Sequence, residues 1–480
     1  MTDAIVDGIA ANIHTSGRWD RKSACALVAG LTLVVAYLVC IGNEVGFIFF
    51  LVLFSLVVLG TAIIRFEASL IFIPLTLTNP YTLAETGSHL HLSELVLLII
   101  LAVWIVRLVS ARESLYLERR VLVPAAFIIG AALVSFTAAR YLSEAINQTV
   151  RYVEVLFVLF VVMTNTCRDE KQIKRMLLYL IIGGLGASFV GISQFVTGSM
   201  TKGETHRVFG WHGGGYGGLI GATLLSCIGA LLYDRDRIIR LWALLTIPFA
   251  TIALVLSQTR AWIGSVAAVL LFLLLRSQRK SLTRIAFGLF IMCGVVFLLI
   301  QTEGFGLVPK EAIDSAIQRA FRFAGSGRTV SSEDLSIYLR MNVWLVGLKL
   351  FLGHPLTGIG VGSLRIADYI TGRLGPPAEG MGYIDNQYLQ FFAEAGVIAG
   401  CAWMYLMYRG LRTGMAAAEQ SKGSSLQSAS FGFLGSYLVW VIGSFFWVIT
   451  PHHELFALLI IYLAMLVNIT RVQKGSRGGT

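Results

Sequence analysis

The chain reads as an all-α, polytopic membrane protein, and three observations carry that reading. Apolar residues make up 56% of the sequence and charged residues only 14%, too little charge to cover a water-facing surface of this size. The apolar residues gather in runs of about 20, the length a helix needs to cross the hydrocarbon core. The basic residues sit at the ends of those runs. The net charge of +11 therefore belongs to a membrane topology and to membrane lipids as partners. No nucleic-acid-binding motif accompanies it, so nucleic acid is not an expected partner.

Candidate spans fall at 23–42, 44–64, 67–83, 92–109, 121–138, 149–166, 175–197, 214–233, 238–257, 260–276, 284–301, 388–409, 429–450 and 454–471. This gives about 12–14 transmembrane helices. The third is the weakest, because Pro74 and Pro80 interrupt it. Very short turns around 43, 258 and 452 join neighbouring spans. The polar first twenty residues lack the pattern of a cleavable signal peptide. The six cysteines lie in apolar runs or at their ends, with no CxxC and no metal-like spacing. No metal and no cofactor is expected.

Orientation follows from the preference of Lys and Arg for cytoplasmic loops. With both termini cytoplasmic, inside segments hold 25 of the 38 basic residues. Short outside loops then hold only Arg140, Arg151, Lys202, Arg207 and Arg260. The remaining eight lie in one long outside loop, to which the rule does not apply. The chain divides into a bundle of about eleven spans over 1–301, an outer loop with short amphipathic helices over 302–387, and helices with a cytoplasmic tail over 388–480. In the loop, Glu311–Phe323 shows helical periodicity. A second helix, capped by Ser332, is expected to run to about Leu352, where Pro355 follows. Its apolar part, from Met341, is too short to span, so it lies on the membrane surface or packs on the bundle.

The topology sorts the ionisable residues. Seven of the eight histidines fall outside, among them His206, His212, His354, His452 and His453. Each arginine in a short outer loop resists the positive-inside bias. Arg260, in the tight turn Ser257-Gln258-Thr259-Arg260-Ala261-Trp262, either snorkels to headgroups or grips an anion, since a guanidinium holds phosphate oxygens bidentately. Arg207 precedes Gly213-Gly214-Gly215-Tyr216-Gly217-Gly218, which is either an anion-favouring helix start or a site of close helix packing. Arg340 opens Arg-Met-Asn-Val-Trp, upstream of His354-Pro355-Leu356-Thr357-Gly358-Ile359-Gly360-Val361-Gly362. Asp385-Asn386-Gln387-Tyr388-Leu389 leads into a span that carries Glu394, where a charge is costly unless paired or functional. Arg151 and Glu154, one turn apart, read as a local ion pair.

Three of these segments, in this order and spacing, resemble the O-antigen ligase and polymerase superfamily (the WaaL and Wzy proteins). They are the Gln-Thr-Arg turn at 258–260, the Arg-x-x-x-Trp helix ending in His-Pro-Leu-Thr-Gly-Ile-Gly-Val-Gly, and Asn-x-Tyr-Leu-x-x-x-x-Glu-x-Gly from Asn386. Arg207-Val-Phe-Gly resembles an upstream element of that family. The resemblance implies a GT-C-type helical bundle in the bacterial inner membrane with a periplasmic active site. It implies transfer of glycan from an undecaprenyl-diphosphate carrier to an acceptor glycan or to lipid A core, without a metal. On this reading Arg207 and Arg260 bind the diphosphate, and Arg340 is a third candidate. The family carries a His directly before the Asn of the third segment; here Asp385 stands there. Asp385 is then the first candidate base, His354 the second, and His452 and His453 the third. His212, Asn386, Tyr388 and Glu394 complete the candidate site. The departure at Asp385 favours a polymerase over a ligase. A transporter or flippase is the alternative of another class, but no internal repeat supports it.

Overall fold

The protein is described from a computed structural model over residues 44–78, 92–111, 115–197, 213–276, 332–363 and 384–477. The described residues are helical and contain no strand. The helices are α1 (Glu44–Ile64), α2 (Leu92–Ala111), α3 (Arg119–Ser135), α4 (Leu142–Thr166), α5 (Glu170–Thr197), α6 (Tyr216–Tyr233) and α7 (Arg237–Leu256). They continue with α8 (Arg260–Arg276), α9 (Ser332–Gly353), α10 (Gln387–Gln420), α11 (Gln427–Gly443) and α12 (His453–Arg477). Eight helices among the described residues are long and apolar enough to cross a membrane. The protein is thus an all-α, multi-pass membrane protein. The spans expected at 23–42 and 284–301, and the helix expected at Glu311–Phe323, lie outside the described residues.

The expected span at 67–83 is not one helix. The chain forms two short helices there, Phe66–Ser69 and Phe72–Thr78. Pro74 explains the break. It has no N–H to give the carbonyl of Leu70, and its ring collides with that carbonyl in a continuous helix.

The chain divides into two compact units, 1–73 with 82–113, and 74–81 with 114–480. In the first, α1 and α2 pack together, and the Arg107 guanidinium lies 5.2 Å over the Phe66 ring. The second holds the large bundle. At its centre α6 packs along α11, because small residues let the two backbones meet, as in membrane helix pairs generally. A Cβ on Gly229 would lie 2.7 Å from the backbone nitrogen of Gly432. The hydroxyls of Ser226 and Ser436 are 2.9 Å apart, and Ser436 also donates to the Ala222 carbonyl at 2.6 Å.

One end of this bundle is tied down by polar contacts. Asp234, in the turn between α6 and α7, accepts from Lys174 at 3.3 Å, from the Asp236 N–H at 2.9 Å and from the Ser428 hydroxyl. Asn165 exchanges two 2.8 Å hydrogen bonds with the backbone of Tyr116, and the Arg471 guanidinium covers the Tyr116 ring at 4.2 Å. Burial pushes the Tyr116 phenol up to about 12, so at neutral pH it stays protonated and donates to Glu118.

α10 departs from a simple span. At 34 residues it would be about 51 Å long if straight, far more than a bilayer core requires. Gly396 breaks it, with φ 76° and ψ −173°, a conformation open essentially to glycine alone. The first arm, 387–395, folds back on the second. The rings of Phe391 and Trp403 are 4.8 Å apart, although twelve residues of straight helix would separate them by about 18 Å. The second arm, 397–420, is about 36 Å long and suffices to span.

Candidate functional site

The glycine-rich segment after α9 is what holds this break. Ile359 N–H donates to the Ala393 carbonyl and Gly360 N–H to that of Glu394, each at 3.0 Å; Val397 N–H donates to the Pro355 carbonyl at 2.8 Å. Val361 N–H finds the Ser135 hydroxyl at 3.1 Å. Non-helical backbone buried in a membrane protein has to be satisfied by such partners. Gly358, Gly360 and Gly362 all have positive φ. A Cβ on Gly358 would fall 2.3 Å from the Glu394 backbone, and one on Gly360 2.4 Å from Ala139. The segment therefore clamps α10 to the α3–α4 corner. It is architecture rather than a ligand loop.

The other end of the first arm is anchored to the linker between α11 and α12. Asn386 caps α10, its side chain accepting from Leu389 N–H at 3.0 Å. Gln387 is wholly buried. Its N–H donates to the Ser444 carbonyl at 2.9 Å. Its side chain accepts from the N–H groups of Ile449 and Thr450, at 2.7 and 2.9 Å, and donates to the Thr450 hydroxyl. Gln148 of α4 donates to the Thr450 carbonyl at 3.0 Å. Tyr388 donates to the Val441 carbonyl at 2.9 Å and stacks on Phe445. In the segment Asn386-Gln387-Tyr388, each side chain thus fixes the position of Asp385 just ahead of it.

Asp385 itself sits at φ 52°, a left-handed conformation that Asp tolerates better than most residues. Its Oδ2 lies 3.5 Å from Nε of Arg340 on α9, and both side chains are only partly exposed. The contact is ionic: Nε has no hydrogen-bond partner among the described residues. A guanidinium carries five N–H donors in a planar fork, so the 3.5 Å contact through Nε is compatible with a second anion on the same group. Two of the expected site residues, 45 positions apart, are thereby brought together.

His354 is not brought to them. It is exposed at the C-terminal end of α9, fourteen residues beyond Arg340 and so about 21 Å along the axis. Its N–H closes the last turn onto Leu350 and its carbonyl accepts from Gly358. Glu394 is buried and accepts from Gln390 at 3.0 Å.

Arg151 and Glu154 do not pair with each other as the spacing suggested. Val153–Leu159 is a π-helical turn, which rotates the side chains beyond it relative to a regular helix. Arg151 points to the Pro451 carbonyl at 3.5 Å. Glu154 lies 3.3 Å from Nε2 of His453, the buried first residue of α12. His452 stacks with Trp447, ring centroids 6.0 Å apart.

Arg260 opens α8, half-buried, after a turn in which Gln258 takes φ 48°. A cation at a helix N-terminus opposes the helix dipole, an arrangement that a bound anion relieves. Two residues on, Trp262 is fully buried and donates to the Gly214 carbonyl at 2.8 Å. Gly217, Gly218 and Gly443 all press on this indole, and Gly214 presses on Trp447. The described glycines of 214–218 thus serve close packing. Arg207 and His212 lie outside the described residues.

Residues 245–404 match the family model Wzy_C, O-antigen ligase. The match supports membership of the O-antigen ligase and polymerase superfamily and an O-antigen ligase or polymerase type of function. No curated protein matches the chain. The Wzy_C segment contains the Arg260 turn, α9, the glycine clamp, Asp385 and the break at Gly396. Sequence reasoning passed over Gln387, Gln148 and Thr450, the uncharged residues that join this segment to α4 and the α11–α12 linker. Only the place of Gln387 between Asn386 and Tyr388 hinted at it.

Proposed function

We propose that the protein is a membrane glycosyltransferase that takes oligosaccharide units from an undecaprenyl-diphosphate carrier at the periplasmic face of the bacterial inner membrane. The acceptor in this reading is another glycan, which makes the enzyme a polymerase. The observation that carries the proposal is the Arg340–Asp385 pair, fixed at the start of α10 inside the Wzy_C segment.

The acceptor hydroxyl oxygen bonds to the anomeric carbon of the donor while the bond from that carbon to the diphosphate oxygen breaks. The electron pair leaves on undecaprenyl diphosphate, and the hydroxyl proton passes to Asp385. Arg340, with Arg260 and Arg207, stabilises the charge growing on the leaving group. A carboxylate held by Arg340 is a weak base. A diphosphate carries more charge than a single carboxylate, so its arrival competes with Asp385 for Arg340 and lets the carboxylate accept the proton. His452, in the α11–α12 linker, and His453, at the start of α12, stand near this end of the bundle as further candidates for the substrate site.

The test is an assay with the purified protein and a defined undecaprenyl-diphosphate-linked repeat. A ladder of longer glycans without lipid A core is the expected product. Transfer only when lipid A core is supplied would instead assign a ligase, the activity in the family's description. Movement of the substrate across liposomes with no new glycosidic bond would overturn the transferase reading in favour of a flippase.

A further inference from the structure

We infer that α9 is an interfacial helix, half-immersed in the lipid leaflet, whose outer face is a lipid-contact surface. The Arg340 turn of α9 and its C-terminal end both reach interhelix linkers at the same end of the bundle. Arg340 meets Asp385, beside the α11–α12 linker, and the clamp that follows Gly353 meets Ala139 at the α3–α4 corner. A helix with that pair of contacts lies across the bundle end, not along the spans.

Its inner face packs on the first arm of α10: Val343 and Leu350 are buried against Ile384 and Ala393. The opposite face is an unbroken apolar stripe of Met341, Leu345, Leu348 and Leu352, exposed by 58, 54, 44 and 66%. Their spacing of four, three and four residues keeps them within about 60° on the helix. Left in water, such a stripe would be an unsatisfied apolar patch.

Continuity identifies what covers it. The stripe runs on to Leu356, 70% exposed. The backbone there is bonded to the break in α10, with Val397 N–H on the Pro355 carbonyl. The next exposed apolar residue is Ile398, at the start of the spanning arm. The outer face of α9 and the lipid-facing side of a span are therefore one surface, and bilayer hydrocarbon is its occupant. Lys349, exposed beside the stripe, can keep its ammonium among headgroups while its stem lies along the apolar surface. Arg340, on the same helix, is then held at headgroup depth, the level of a lipid-linked diphosphate. That last consequence rests on the proposed function; the placement of α9 does not.

The experiment places an environment-sensitive fluorescent amino acid at Leu345, Leu352 or Lys349 in the full-length protein. Each variant is set in nanodiscs containing lipids brominated along the acyl chain. Emission from positions 345 and 352 should be quenched about twofold or more over position 349. Equal quenching at all three, or none, would overturn the proposal. So would protection of 345 and 352 from both brominated lipid and an aqueous quencher, which would show a protein partner on that face. If quenching follows the expected order but no glycan is transferred, the lipid contact stands and only the enzymatic reading fails.

Discussion

The two ends of the large bundle treat charge in opposite ways. At the end held by Asp234, a buried carboxylate accepts from an ammonium, a backbone N–H and a hydroxyl. Nothing in that arrangement invites a ligand. At the end held by Asp385, a carboxylate on left-handed backbone meets an arginine at 3.5 Å, and both side chains are partly exposed. The first contact set lies in a turn buried among helix ends, whereas the second pairs two partly exposed side chains. In the proposed orientation the first end faces the cytoplasm and the second the periplasm.

The contrast can be attacked at its scaffold first. Gly396→Ala forces a side chain into a glycine-only conformation, its Cβ 2.1 Å from the Leu356 carbonyl oxygen. It should cost about 4 kcal/mol and appear as lost monodisperse protein in size-exclusion chromatography. A well-behaved, active variant would mean that the clamp does not hold the break.

Changing Arg340 to Ala should lower the transfer rate by about 10²–10³-fold, the usual loss for one electrostatic stabiliser of a transition state. Expression and thermal stability should stay near wild type, because the contact Arg340 makes among the described residues is a 3.5 Å, partly exposed one. Arg207→Ala and Arg260→Ala are expected to behave alike. Normal product from all three would remove the anion site from the proposal.

Asp234→Ala separates the two ends most cleanly. It strands Lys174 and should cost about 3 kcal/mol of stability, with the rate per folded molecule unchanged. A selective loss of rate would show that this end is not purely structural.

Asp385→Asn is the smallest change and the sharpest. It should abolish turnover yet tighten the binding of undecaprenyl diphosphate about tenfold, because Arg340 no longer has a competing carboxylate. Calorimetry in detergent reads this directly. Weaker binding would make Asp385 a structural prop for Arg340 rather than its placeholder.

Much of the architecture was legible in the sequence because lipid leaves few choices. Long apolar runs must be helices, and most expected spans in the described residues are. Pro74 marked the one weak span, and a proline's missing N–H is as visible in sequence as in space. The fold-back at Gly396 was not legible. Phe391 to Ile398 reads as continuous apolar helix apart from one glutamate, and a lone glycine in a helix is common. Its meaning depends on Pro355–Gly360, some forty residues upstream. The site was legible as a set of residue types but not as a set of neighbours. Arg340 and Asp385 were both singled out, while their pairing comes from the tertiary packing of α9 on α10. Glu154 was assigned to Arg151 because a regular helix puts residues one turn apart together, and the π-turn defeats that rule.

The clamp at Gly358–Gly360 turns two helices into matched rulers. α9 and the first arm of α10 are pinned together at one end, so the meeting of Arg340 with Asp385 at the other is set by counting residues from the pin. One residue inserted between Arg340 and Gly353 would carry the guanidinium about 1.5 Å along the axis and about 100° around it, away from its partner. Segment length is thus under as tight a constraint as residue identity. Proteins built this way should therefore tolerate no change of length between Arg340 and Gly353 or between Asp385 and Gly396.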